Sequence, residues 1–249
     1  MSQSVPKRAG LRQELRKWWK ENCKSQAFIG TSRTFLEAMW TFLCESTPER
    51  RRQRYGDIEY DWENRLDTTS ATVGWRERLL GALHSPYQPT EPALFHEMLS
   101  SLKINFPEFT FIDLGSGKGR ALLMAAEYEF SRILGVELLP DLNRIAEQNL
   151  RQFKSEKQKC FNLRTACGDA REFVFPAEPT VLYLFNSFPE PGLERVVDNL
   201  ERSLRADPRI VYVLYQNPLL EHILARSSLL QPVGGTHQYC LYASEKRGQ

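Results

Sequence analysis

The feature that most constrains this chain is a junction. The apolar run Phe109 to Leu114 passes at once into Gly115-Ser116-Gly117-Lys118-Gly119-Arg120 and then into the helix-forming stretch Ala121 to Ala126. A short apolar run stopped by glycines reads as a buried strand, and the glycines let the chain reverse tightly into a helix whose first N–H groups lack partners. The alternation continues downstream. Ile133 to Glu137 is a second strand; Pro140 suits a first helical turn, and Leu142, Ile145, Ala146, Leu150 and Phe153 follow at helical spacing. Leu163 to Ala166, Thr180 to Phe185 and Ile210 to Tyr215 are three more strands, and the apolar continuity of Thr180 to Phe185 suits burial on both faces. Leu193, Val196, Val197, Leu200 and Leu204 mark one helix between them, and Leu219 to Arg226 a short one after the fifth strand. Strands alternating with helices predict a parallel sheet with crossover helices. The end differs: Leu229 to Val233, a turn at Gly234-Gly235 and Gln238 to Ala243 predict an antiparallel hairpin, with Pro232 making one strand irregular or an edge. The expected class is α/β, a doubly wound Rossmann-like sheet with a C-terminal antiparallel hairpin and a helical N-terminal extension.

The sheet accounts for residues 109 to 243, followed by a tail, 244 to 249. Residues 1 to 108 form the extension. Leu11, Leu15, Trp18 and Trp19 share one helical face, Phe35, Met39, Phe42 and Leu43 another, and Leu94, Phe95, Met98, Leu99 and Leu102 mark a helix feeding the first strand. Arg50 to Gly74 is polar and rich in turn residues, and reads as a loop or lid. The near-neutral charge, +2, hides an asymmetry: residues 1 to 54 hold twelve Lys or Arg against five Glu, a formal +7, so the rest carries −5. A basic arm suits nucleic acid, anionic lipid or an acidic protein face. Trp18, Trp19 and Trp40 among those cations have the chemistry to stack on bases, although aromatics at helical spacing more commonly pack on their own domain. Five scattered cysteines without a Cys-x-x-Cys pair fit a reducing compartment and no metal site. No run approaches the roughly 20 apolar residues of a membrane span. A cytoplasmic location is expected, with organellar targeting left open by the basic N-terminus.

In open parallel sheets ligands sit beyond the carboxyl ends of the strands. Gly115, Gly117 and Gly119 give a turn that a ligand approaches closely, and Glu137, twenty residues after Gly117 at the end of the second strand, is placed to accept from both ribose hydroxyls of a nucleoside cofactor. The spacing G-x-G-x-G departs from the dinucleotide pattern G-x-G-x-x-G, and the loop lacks the Walker spacing. Asp113 repels a pyrophosphate but suits the ammonium and sulfonium charges of S-adenosylmethionine. Asp113 also has the chemistry of a simple loop anchor, and Asn186, after the fourth strand, that of a turn cap.

Phe111 to Arg120 together with Gly135-Val136-Glu137 resembles the first two motifs of class I S-adenosylmethionine-dependent methyltransferases. That resemblance implies a seven-stranded sheet, an S-adenosyl-L-methionine cofactor, an adenine contact at Asp169 with Ala170 beside it, and transfer at Asn186-Ser187-Phe188. The last segment departs from the N-P-P-[YF] of amine and nucleobase methyltransferases. With Asp-Leu-Gly-Ser-Gly and Gly-Val-Glu it is more similar to the non-SET, seven-strand histone-lysine enzymes. Tyr87-Gln88-Pro89-Thr90 resembles their Tyr-x-Pro-Thr segment, which implies that Tyr87 and Thr90 close over the methionine part of the cofactor. The acceptor implied is a protein lysine or another amine, with Asn186 both contacting the cofactor and orienting the acceptor, and Phe188 walling it. A catalytically silent module that binds nucleic acid through the basic arm, and a nicotinamide-dependent oxidoreductase, are the competing expectations.

Overall fold

A computed structural model describes residues 11–25, 28–45, 58–69, 79 and 88–244. Tyr87 lies outside the described residues, as do most of the expected lid and the 244–249 tail beyond Ser244.

Seven strands form one sheet in the order β3-β2-β1-β4-β5-β7-β6. They are β1 Thr110–Leu114, β2 Arg132–Glu137, β3 Leu163–Cys167, β4 Thr180–Phe185, β5 Val211–Gln216, β6 Leu230–Gly235 and β7 Tyr239–Ser244. The first five are parallel, and β7 runs antiparallel to β5 and β6. Strand order reverses between β1 and β4, which creates the crevice at their carboxyl ends.

All five residues of β1 are buried because both faces are covered. On one face, Phe111 and Tyr183 join Phe95, Met98 and Leu99 of the helix Pro92–Ser101 and Leu122 and Leu123 of Arg120–Ala125. On the other, Ile112, Leu114, Leu182 and Leu184 meet Leu193, Val196 and Leu200 of Glu190–Ala206. The helix 92–101 therefore builds part of the sheet's own core. Helix Pro140–Gln152 has Pro140 in its first turn, as its fixed φ favours.

In the extension, Leu11–Ser25 and Phe28–Glu45 are helices. Trp18 is buried, with its ring 6.0 Å from Phe35, and Trp19 sits at the same distance from that ring. These two tryptophans pack internally; Trp40 is 70% exposed.

Three local expectations need correction. The stretch Arg50 to Gly74 is not all loop: Ile58–Asn64 is a helix, too short and polar to carry an apolar period, and it is anchored by contacts distant in sequence. The helix after β5 is shorter than expected, Glu221–Ala225. Gly234 and Gly235 do not make the hairpin turn; they pair with Leu241 and Cys240, and the Thr236 N–H to Tyr239 carbonyl bond closes the reversal further on. Pro232 has no N–H to donate, and the register shifts between Pro232 and Gly234, which carries the strand past the expected turn.

Candidate functional site

The crevice is built from the turn after β1. Gly115, Gly117 and Gly119 have φ of 94°, 53° and 85°, a region costly for any residue with a Cβ. At Gly115 the demand is also steric: a Cβ there would lie 2.2 Å from Ser187 Oγ. The glycine turn after β1 and Asn186-Ser187-Phe188 after β4 are thus in direct contact. The Gly115 and Ser116 N–H groups both donate to the Val136 carbonyl, at 2.8 and 3.1 Å, which ties the turn to β2.

Glu137, 6% exposed, spreads its carboxylate under the turn. Oε2 accepts from the Gly117 N–H at 2.8 Å and Oε1 from the Leu139 N–H at 2.7 Å. Each oxygen keeps a lone pair for another donor. Burial pushes this carboxyl above its ordinary value, and the backbone N–H bonds counter part of the rise. Asp113 is 3% exposed, and no side-chain hydrogen bond to it is present among the described residues. Burial raises its carboxyl well above the ordinary value of 3.8, and the nearby Glu137 charge adds to the rise. Two buried acids, one without a hydrogen-bonded donor, favour a cationic group with hydroxyl donors beside it. The residues present fit S-adenosylmethionine on that ground.

Asp169 and Ala170 follow β3, where the Gly168 N–H donates to the Glu137 carbonyl at 2.9 Å. The structure gives Asp169 a partner that spacing did not suggest: its carboxylate accepts from the Arg171 backbone at 3.0 Å and from the Arg171 guanidinium at 2.8 Å. Burial alone would raise the Asp169 carboxyl, but the Arg171 bonds outweigh it, helped by Lys17, and hold it below the ordinary range. Ala170 is buried. Asn186 sits at φ 44°, and its Oδ1 accepts from the Tyr215 hydroxyl at 3.4 Å. Phe188 is half-buried and packs against the core on the sheet face that carries Leu193, Val196 and Leu200. Thr90 is buried, with Oγ1 sharing a 2.9 Å hydrogen bond with the Tyr183 hydroxyl, which in turn donates to Gln216 at 2.5 Å. Tyr183 pairs in register with Asp113, so Thr90 reaches the same end of the sheet.

The two cations of the turn have partners that the sequence did not reveal. Lys118, fully buried, donates from Nζ to Asp67 at 2.7 Å and to the Thr69 carbonyl at 2.8 Å. Burial lowers its ammonium pKa, against the Asp67 bond. Arg120 donates to Thr68 Oγ1 at 2.6 Å and to Asp61 at 3.3 Å, with its guanidinium 5.0 Å over the Tyr60 ring. Asp61 also accepts from the Thr68 hydroxyl and from the Thr68 and Thr69 N–H groups at 2.6 and 2.7 Å. Asn149 closes the group, accepting from the Asp67 N–H at 3.1 Å and donating to the carbonyls of Asp67 and Lys118, each at 2.9 Å. One signal for this cluster was legible: Asn149 falls on the apolar face of its helix, seven residues after Leu142, where a polar residue implies a buried hydrogen-bonding duty.

Among the described residues no group of His, Cys, Asp or Glu is placed to hold a metal, and no helix is long and apolar enough to cross a membrane. Four cysteines, Cys23, Cys160, Cys167 and Cys240, are free thiols.

Comparison with known proteins adds three findings. The family model described as Histone methylation protein DOT1 matches residues 84–173. No curated protein matches significantly over its sequence. Solved structures with a similar outline include an RNA methyltransferase from Salinibacter ruber in complex with S-adenosyl-L-homocysteine, 20% identical, over 65% of this chain and 95% of that one, with a TM-score of 0.41. TrmN from Thermus thermophilus is 19% identical over 62% of this chain and 48% of its own, with a TM-score of 0.44. A ribosomal protein L11 methylase from Lactobacillus delbrueckii subsp. bulgaricus is 16% identical over 62% and 78%, at 0.44. The family match spans the glycine turn and Glu137, on a sheet of order 3-2-1-4-5-7-6, so that over residues 84–173 the chain is similar to a histone-methylation family.

Proposed function

We propose that the protein methylates an amine, and that the amine is a lysine side chain of a protein acceptor. The observation that carries this reading is the packing of Ser187 against Gly115, which sets the Asn186-Ser187-Phe188 turn beside the cofactor turn at the switch point of the sheet. The match to a histone-methylation family supports the lysine assignment. Basic residues remain exposed on the first helix at Arg12, Arg16, Lys17 and Lys20, and they make nucleic acid the competing partner.

When bound, S-adenosylmethionine supplies a methyl group already activated by a positively charged sulfur. Glu137 offers its two remaining lone pairs to the ribose hydroxyls, and Asp113 offers a negative charge to the cationic end. Thr90 would close that end, the role that the sequence resemblance also implies for Tyr87. Asp169 and Ala170 would hold the adenine, Asp169 with its charge already shared with Arg171. At the acceptor side, the Asn186 amide oxygen accepts from the N–H of a neutral amine, and the Tyr215 hydroxyl fixes the amide. Phe188 supplies an apolar wall that excludes water. No general base is required, because positioning contributes about 7–11 kcal/mol, against the roughly 10²–10⁴-fold of a base. The amine proton leaves to solvent before transfer.

The test is incubation with methyl-labelled S-adenosylmethionine and cell extract. Label is expected in protein, lost on protease treatment and recovered as methyllysine after acid hydrolysis. Label lost on nuclease treatment would overturn the lysine reading.

A further inference from the structure

The glycine turn is gripped from outside its own βα unit. Both of its cations, Lys118 and Arg120, and one of its carbonyls, that of Lys118, are bonded to residues 58–69 or to Asn149. A turn with three positive-φ glycines has unusual backbone freedom, and ordering it costs entropy at each residue. An arrangement that orders the turn before ligand arrives removes that cost from binding.

We infer that Asp61 and Asp67 are positioning residues for the cofactor turn, a clamp that holds Gly115 to Arg120 in receiving form through Arg120 and Lys118. This rests on the cofactor reading above. The clamp lies upstream of residues 84–173, so it is separate from the segment that the family model matches. It also accounts for the two cations without a phosphate. Lys118 has Asp67 as its counter-charge and Arg120 has Asp61, and each has a further oxygen from Thr69 or Thr68. Both side chains are turned to residues 58–69, and no anionic ligand is needed to neutralise them. Geometry separates the two acids in their tolerance to change: the Asp67 side chain is 43% exposed and that of Asp61 only 8%.

The experiment uses the full chain without ligand first. Hydrogen exchange over residues 115–120 is compared in wild type, Asp67→Asn and Asp67→Glu, followed by calorimetric binding of S-adenosylhomocysteine. Asp67→Asn is expected to speed exchange of the turn amides and raise Kd, each roughly tenfold. Exchange in Thr180–Phe185 and turnover at saturating cofactor are expected to stay at wild-type levels, with the KM for cofactor raised, and Asp67→Glu to recover most of the loss. Asp61→Asn is expected to show the same pattern at a lower melting temperature, and Asp67→Asn decides the matter if Asp61→Asn does not fold. Wild-type protein that failed to bind S-adenosylhomocysteine would overturn the cofactor reading and this inference with it. Normal wild-type binding with unchanged exchange and Kd in Asp67→Asn would overturn the inference alone.

Discussion

Asp61 and Asp67 meet the glycine turn through its cations, whereas Asp113 and Glu137 meet it with no cation at all. The first pair is satisfied within the protein: Arg120 and Lys118 are ion-paired, and the Thr68 and Thr69 N–H groups fill the remaining Asp61 valences. The second pair is buried at 3% and 6% exposure with two backbone N–H bonds, both of them to Glu137. Satisfied carboxylates hold structure together. Buried carboxylates held without a counter-charge, Glu137 by backbone N–H groups alone and Asp113 without a hydrogen-bonded donor among the described residues, carry a cost that a cationic ligand relieves, and that contrast separates scaffold from site around one short loop.

The contrast is broken most strongly at Glu137. Glu137→Ala removes the two carboxylate oxygens proposed to accept from the ribose hydroxyls, each such bond worth about 1.5–3 kcal/mol, so calorimetry is expected to detect no S-adenosylmethionine binding at micromolar protein. Next comes the scaffold pair. Asp61→Asn leaves the Arg120 guanidinium, 2% exposed, without its counter-charge, and urea denaturation is expected to show a loss of about 3–5 kcal/mol. A smaller effect is expected at the transfer turn: Asn186→Ala removes one positioning hydrogen bond, about 0.5–1.5 kcal/mol, read as a fall in kcat with cofactor Kd unchanged. The smallest sets the baseline. Arg33→Ala breaks an ion pair whose side chains are 82% and 61% exposed, and thermal melting is expected to move by no more than about 0.5 kcal/mol of stability.

The sheet was legible because its strands carry short apolar runs cut off by glycine, proline or acid, and each of the seven expected strands falls within one or two residues of its place. The glycine turn and Glu137 were legible for the same reason: special backbone demands and a fixed offset leave a pattern in one short window. The grip of residues 58–69 on the turn was not, since a clamp between Asp61 and Arg120 joins residues 59 apart and has no period to detect. Only the misplaced polarity of Asn149 announced it. The hairpin turn failed on a conflict between two local rules, glycines that favour reversal and a Pro232 irregularity that moved it. Arg171 illustrates a further gap. A cation two residues after an acid is common in sequence, and only the fold shows that it takes up both carboxylate oxygens of Asp169.

Protons offer the most direct reading of the central claim. Burial first, then the Glu137 charge, raises the Asp113 carboxyl well above 3.8 in the unliganded protein. A raised native pKa means that the folded state holds more protons than the unfolded state, so this group favours folding at low pH and costs stability as pH rises from 3.8 toward its native value. Binding a cation reverses the preference, because it favours the carboxylate and expels the proton. S-adenosylmethionine affinity is therefore predicted to strengthen as pH rises through the native Asp113 pKa, and Asp113→Asn to weaken binding and flatten that part of the profile. The decisive measurement is the Kd for S-adenosylmethionine across pH in wild type and Asp113→Asn. A wild-type slope that disappears in the variant is the predicted result; equal affinity and an identical profile in the two proteins would contradict the account.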